Sequence, residues 1–406
     1  MAVYTKFQKE NMNNTILKYS LIIISIFSIA FSQQKRLMWK DLVDKKGIKY
    51  AVVSKKPFTG RVFDNYKNKG RKLTGSFKNG KMNGSWTFWR EDGKIDREEA
   101  YLLGEKNGEW TLYDDNGKKQ KSEKYSKGKK TGSTSLYHSN GQKSKEETYV
   151  NDKREGKWTS WYSNGKREKV EFYKKGKKVN KWNYYSEDGE LESIVSYKND
   201  LKDGKSLYYS SQTGKKEREE SWKRNVENGL WIWWNDKGKK IKEGSFQAGQ
   251  KHGLWMNYND KGKKYEEGQW KNGELSGKTT MWDKNGAKTI IKSFKKDEKD
   301  GLWVWWSPSG NKVKEGSYKL GQKNGKWTYY YADGSKKRLE NYVKDKKNGK
   351  LIRWYANGLK SQEEFYKNDE KHGKFKYWFD NGRLEKEEKY SNGVQTDGKH
   401  YDYFEN

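Results

Sequence analysis

The sequence predicts an all-β protein, an elongated twisted antiparallel sheet built from tandem β-hairpin repeats of about 24 residues. Three observations carry that expectation. Glycines recur at a fixed step, at Gly60, Gly84, Gly108, Gly132, Gly156, Gly204, Gly229, Gly253, Gly277, Gly301, Gly325, Gly349, Gly373 and Gly398, with Asn180 in the one empty slot. The step is 24 residues, stretched to 25 in two places. Aromatic residues recur in register with those glycines, and each copy holds a second glycine, usually after Asn, Asp or Lys. A constant period in this range is the signature of a repeat architecture.

With the opening glycine as position zero, position two is Trp86, Trp110, Trp158, Trp182, Trp231, Trp255, Trp303 and Trp327 in eight copies. Position five is aromatic in every copy but the first, as in Trp89, Tyr113, Trp161, Trp234 and Trp306. Position seventeen is aromatic throughout, as in Phe77, Tyr173, Phe246 and Tyr390. Two short aromatic runs joined by Asn-Gly or Asp-Gly read as a hairpin, because those residues tolerate the positive φ of tight turns. Alternation places positions two and four on one face, three and five on the other. One hairpin buries too little to stand alone, so the copies must stack.

The remaining segments follow in chain order. Residues 1–32 read as a signal peptide, with Lys18 ahead of an apolar run from Leu21 to Phe31 and small residues at Ala30 and Ser32 before Gln33. Met12 is an alternative start. The run is short of the roughly 20 residues a membrane span requires. The expected location is therefore exported: periplasmic, outer surface or secreted. Residues 33–59 read as an N-terminal cap region, in which Ile48 to Val53 forms a strand and Lys55-Lys56-Pro57 blunts the sheet edge. Residues 60–397 hold fourteen repeats, and 398–406 form a partial terminal repeat. No composition break divides the array.

Composition narrows the function. Hydrophobic residues are 31%, half of them aromatic, and 35% are charged, a balance that signals disorder unless the aromatics recur in register, as here. Cysteine is absent, which excludes disulfides, thiolate metal sites and thiol catalysis. The run Gly273-Glu274-Leu275-Ser276-Gly277-Lys278-Thr279 is one residue short of a phosphate-binding loop and lacks a following helix, so it reads as a turn between hairpins. The pairs Glu98-Glu99, Glu146-Glu147, Glu219-Glu220, Glu363-Glu364 and Glu387-Glu388 recur at one repeat position, and adjacent strand residues point to opposite faces. They read as solvated strand residues. Of the four histidines, His252 and His372 occupy equivalent turns five copies apart, too distant to share a metal. The sequence is read as non-enzymatic, with no cofactor.

Charge is the other lead, with 88 basic against 55 acidic residues and a net charge of +33. Lys119, Lys143, Arg167, Lys216, Lys240, Lys264, Lys288, Lys312, Lys336 and Lys360 occupy the second position after the turn glycine. Equivalent turns lie two strands apart, roughly 9.6 Å, so in-register stacking makes them one positive edge along which a polyanion would bind cumulatively and with strong salt dependence. Nucleic acid is the reflex partner of such charge, but export argues against it.

From Pro57-Phe58-Thr59-Gly60 to residue 403, the units have the form G-x-W-x-x-Y-x-x-x-G-K-x-x-x-E-x-x-Y-x-x-G. This pattern resembles the MORN-repeat variant (membrane occupation and recognition nexus), as in bacterial chains of the YwqK-family antitoxin-like type. Copies with Asn180, Thr134, Ser206 and Thr279 depart from it. The resemblance implies hairpins laid side by side, no catalytic residues, and roles in scaffolding protein complexes or contacting anionic lipids. An antitoxin role belongs inside the cell and conflicts with an export signal. Three readings follow. The first is an exported scaffold for other proteins at the cell envelope. The second is a binder of acidic glycans or anionic lipids through the lysine-rich edge, with exposed rings stacking on sugars. The third is an accessory to an enzyme such as a lipid kinase, for which the chain has no kinase motif.

Overall fold

A computed structural model describes residues 35–401. The expected signal peptide, residues 1–32, lies outside the described residues, as does Tyr403. Among the described residues there is no α-helix and no helix long and apolar enough to cross a membrane. They fall into two units, one of residues 35–180 and 184–189, the other of 181–183 and 190–401. Each is an antiparallel run of hairpins at the expected period.

The copy opening at Gly229 shows how one repeat is made. Its first strand, Gly229–Trp234, pairs with Lys240–Gln247 in the register Trp231↔Gly244, Ile232↔Glu243 and Trp233↔Lys242. Then the register slips: Trp234 faces Lys240, and Ile241 is the extra residue of a β-bulge. The same slip recurs before Lys143, Lys216, Lys264, Lys312 and Lys360. Ala248-Gly249 then turns the chain into Gln250–Tyr258, which opens the next copy.

The two turns divide the work differently from the sequence expectation. In the turn within the hairpin only the glycine adopts positive φ, as at Gly238, +77°. Gly238 N–H donates to the Asn235 carbonyl, and Asn235 N–H donates to the Lys239 carbonyl. This is a three-residue loop, a type I turn closed by a left-handed glycine. Asn235 Oδ1 also accepts from the Lys237 and Lys239 N–H groups, at 3.1 and 2.9 Å. The tight two-residue turn with both φ values positive lies instead between hairpins, as at Ala248 (+50°) and Gly249 (+80°) or Asn368 (+51°) and Asp369 (+71°). Of the Gly273 to Thr279 run, only Gly273 belongs to such a turn, with Asn272; the rest lies in strand Glu274–Trp282. The opening glycine is left-handed too, and Asn180 keeps that conformation at +61°, the non-glycine residue type best able to do so.

The N-terminal region joins the sheet by a different strand than expected. Arg36–Met38 pairs in parallel with Gly60–Asn65. Ile48–Ala51 pairs instead with Leu42–Lys45 in a separate two-stranded sheet. Parallel pairing is forced because both strands run the same way along the end of the array. Phe58, Val62, Leu73, Phe77 and Trp86 are buried together there, with Leu37, Trp39 and Leu42 packed against them. At the C-terminal end of the second unit, Val394–His400 pairs with Leu384–Ser391; the expected partial repeat, residues 398–406, is described only to 401.

Candidate functional site

The position-two tryptophans, candidates for the exposed rings of the glycan reading, form the interior instead. Trp86, Trp158, Trp182, Trp231, Trp255, Trp303 and Trp327 are buried, and Trp110 is half-buried. Each packs between position-seventeen rings. Trp231 lies 5.3 Å from Trp222 and 5.1 Å from Phe246, and Trp255 lies 5.0 Å from Phe246. The indole N–H groups of Trp110, Trp158, Trp231, Trp255, Trp303 and Trp327 donate to the carbonyl ten residues earlier. A thin sheet has little else to bury, so its largest rings go to packing and are closed to sugars.

Position fifteen sets the tilt of the following tryptophan. Where it is Gly75, Gly244 or Gly316, the indole lies across the bare backbone, and an added Cβ would come within 2.1 Å of the ring. Trp86, Trp255 and Trp327 then stand at 83°, 86° and 87° to the preceding ring. Where it is Glu99, Glu147, Glu220 or Lys292, the corresponding angles at Trp110, Trp158, Trp231 and Trp303 fall to 62°, 57°, 56° and 58°.

Four of the five second acids depart from the solvated reading, Glu147 being half-buried, and so does the first acid Glu219. Glu99, Glu220, Glu364 and Glu388 are buried, as is Glu340 at the same position, 3% exposed. Tyr101, Tyr366 and Tyr390 donate to Glu99, Glu364 and Glu388, Tyr342 donates to Glu340 at 2.8 Å, and the Trp222 indole donates to Glu220. Arg97, Arg218, Arg338 and Lys386, two residues earlier in the strand, supply the counter-charges. Burial and the neighbouring carboxylate push Tyr366 up to about 12 and Tyr342 higher still. Lysines just after the turn between hairpins cover the ring stack: Lys251 lies 4.8 Å over Trp255 and 4.2 Å over Trp270, Lys323 4.7 Å over Trp327. Much of the positive charge is thereby part of the packing.

The opposite face carries the ten candidate edge residues at the start of each second strand. Six are ion-paired to a glutamate three residues on: Lys143–Glu146 (2.9 Å), Lys216–Glu219 (3.7 Å), Lys240–Glu243 (2.9 Å), Lys264–Glu267 (2.6 Å), Lys312–Glu315 (2.8 Å) and Lys360–Glu363 (2.8 Å). In a regular strand, residues three apart point to opposite faces; the bulge restores them to one face. Lys216, Lys264, Lys312 and Lys360 also sit over Trp234, Trp282, Tyr330 and Trp378 of the next copy. Lys119, Arg167, Lys288 and Lys336 have Ser122, Val170, Ile291 and Leu339 three residues on and stay exposed. The row is therefore interrupted by acid, and only these four present bare charge. Leu230, Leu254 and Leu302 at position one of this face are 41%, 42% and 48% exposed.

Burial works to raise the Glu243 carboxyl, but the Tyr258 hydroxyl and Lys240 outweigh it and hold it below the usual range. The Lys360 ammonium holds Glu363 down directly. Among the described residues no group of three or more His, Cys, Asp or Glu side chains could hold a metal.

No curated protein matches the chain. Solved structures that it is similar to include a GtfA/B complex bound to UDP and GlcNAc, at 15% identity over 29% of this chain and 23% of that one, TM-score 0.15. Others are TcdB2-TccC3, at 12% identity over 83% and 21%, TM-score 0.16, and the Photorhabdus luminescens Tc holotoxin pore, at 10% identity over 87% and 24%, TM-score 0.16. The chain thus spans less than a quarter of those structures' lengths. The repeat itself is matched directly: residues 106–127, 130–151, 154–175, 178–199, 299–320, 323–344 and 371–392, seven of the hairpin units described above, match the model of the MORN repeat variant.

Proposed function

We infer from the seven matched MORN repeat variants that this chain engages other proteins or membrane lipids. We propose that this chain is an exported, non-enzymatic scaffold that holds other proteins at the cell envelope. The observation that carries the reading is the charge-balanced face. Six of the ten basic residues at the strand starts are neutralised by glutamates, while exposed leucines recur beside them at Leu230, Leu254 and Leu302. A face of alternating charge and apolar contact, repeated at constant step, suits a folded protein partner better than a polyanion. The test is crosslinking in the native host, followed by fractionation and mass spectrometry, for wild type and the triple variant L230K/L254K/L302K. Lysine already occupies this position at Lys157, Lys205 and Lys326, so the fold tolerates it. A stoichiometric envelope partner that the variant loses is expected. An unchanged partner set, or a cytosolic location, refutes the reading.

The four bare basic residues and the net charge of +33 favour a second reading, binding to acidic glycans or anionic lipids. The quadruple variant K119Q/R167Q/K288Q/K336Q should then lose salt-sensitive binding to anionic vesicles. Changing Lys216, Lys240 and Lys264 should matter less, because their charge is already spent on Glu219, Glu243 and Glu267. Equal effects of the two sets would remove this reading.

A further inference from the structure

One place in the second unit breaks the repeat pattern in a way that packing does not explain. Position four, occupied by Phe88, Tyr208, Trp233, Trp305, Tyr329 and Tyr377 in other copies, is Arg353 here, and no other full copy has a basic residue there. Arg353 pairs directly across the sheet with Arg338. Like charges in that relation repel. Arg338 is relieved by Glu340 at 3.2 Å. Arg353 has no such relief: among the described residues no carboxylate oxygen lies within 4.0 Å of its guanidinium, and its buried Nε has no hydrogen-bond partner.

Both arginines line a cavity of about 470 Å³, together with Tyr329, Tyr331, Trp354 and Tyr355. The rings are held in place. The Tyr331 hydroxyl donates to the Trp354 carbonyl and the Tyr355 hydroxyl to the Trp378 carbonyl, each at 2.7 Å. The volume falls in the range of small-molecule sites, which pair an apolar aromatic lining with a few convergent polar groups. A guanidinium recognises a carboxylate through two parallel hydrogen bonds; Tyr329 and Tyr331 lie under Arg338 and Lys337, at 4.2 and 5.3 Å, which leaves Trp354 and Tyr355 to offer stacking to a flat apolar face. A simple anion would use only the first feature, a neutral sugar only the second.

We propose that this cavity binds an acidic pyranose, a sugar ring bearing a carboxylate, with Arg353 on the carboxylate and Trp354 and Tyr355 against the ring. The proposal does not rest on the scaffold reading, since neither the leucine face nor the lysine row takes part. The test is titration of the full chain at low salt with sodium glucuronate, glucose and sodium acetate, read by tryptophan fluorescence and calorimetry. Saturable glucuronate binding is expected, with glucose and acetate at least tenfold weaker. Arg353→Tyr, which restores the ring found at Tyr329 and Tyr377 and removes the repulsion, should weaken glucuronate at least tenfold and leave circular dichroism unchanged. Arg353→Lys keeps the charge but loses the planar fork, and should also weaken it. A trigalacturonate probe distinguishes sources: tighter binding than the monomer assigns the site to a glycan chain, equal binding to a free sugar acid. Undiminished glucuronate binding by both variants, or equal binding of all three probes, overturns the proposal.

Discussion

Replacing Gly244 by alanine tests whether position fifteen governs the aromatic core. The added Cβ would meet the Trp255 ring at 2.1 Å, far inside contact distance, so the indole must rotate. Copies with a side chain there show where it goes: from 86° to the preceding ring toward the 56–62° range. Overpacking of this kind costs about 1–3 kcal/mol. Removing a glycine from a strand interior returns about 0.5–1 kcal/mol. The net expected loss is about 0–2.5 kcal/mol, centred near 1.4 kcal/mol. Repeat arrays need not unfold as one unit, so the readout should be local. Hydrogen exchange in the peptide covering residues 240–258 should accelerate roughly tenfold, since about 1.4 kcal/mol is a factor of ten, and the near-ultraviolet tryptophan signal should change. Gly268→Ala is the control. Its Cβ would meet Leu275 and Thr279 at 3.2 and 3.3 Å and the Trp270 indole only at an ordinary contact distance of 3.6 Å, so it should cost less and change that signal less. If Gly244→Ala is as protected as wild type with an unchanged signal, or if Gly268→Ala costs as much, the reasoning fails.

Trp327→Ala removes a ring that is 1% exposed and packed against Tyr318 at 5.1 Å; it should destabilise its neighbourhood by about 3–5 kcal/mol, read as protection lost across residues 312–342. Burial and neighbouring carboxylates push Tyr113, Tyr125, Tyr208, Tyr330 and Tyr366 up to about 12. The folded state therefore keeps protons that the unfolded chain releases near pH 10, and stability present below pH 10 is lost between there and about pH 12; absorbance at 295 nm should rise late and together with unfolding. The carboxyls of Glu243, Glu315 and Glu363 are held below their usual range by ion pairs and hydroxyl donors that outweigh burial at the first two. Their contribution is present above about pH 4.5 and lost as pH falls through the lowered values, so an acid melt should shift upward in pH when Lys240, Lys312 and Lys360 become glutamine. Export predicts that protein from the native host begins at Gln33, and amino-terminal sequencing that finds an intact Leu21–Phe31 segment refutes it.

What the sequence by itself determined is the repeat: its period, the hairpin in each copy and the residue types at positions zero, two, five and seventeen. These are legible because hairpins are local, and because glycine and asparagine declare positive φ through their own sterics, as Asn180 does at +61°. Three things were decided only in the tertiary structure. Which connection is the tight two-residue turn depends on strand pairing on both sides, so Asn-Gly within a hairpin and Ala248-Gly249 between hairpins could not be ranked by residue type. The burial of Glu340 beneath Tyr342 depends on a ring and a counter-charge along one strand, where composition alone reads an acid as solvated. The fate of the lysine row turned on one extra residue. Simple alternation sends Lys240 and Glu243 to opposite faces, but the bulge at Ile241 adds a residue between them and brings them together at 2.9 Å. A bulge is a property of two paired strands, and no single strand's sequence states it.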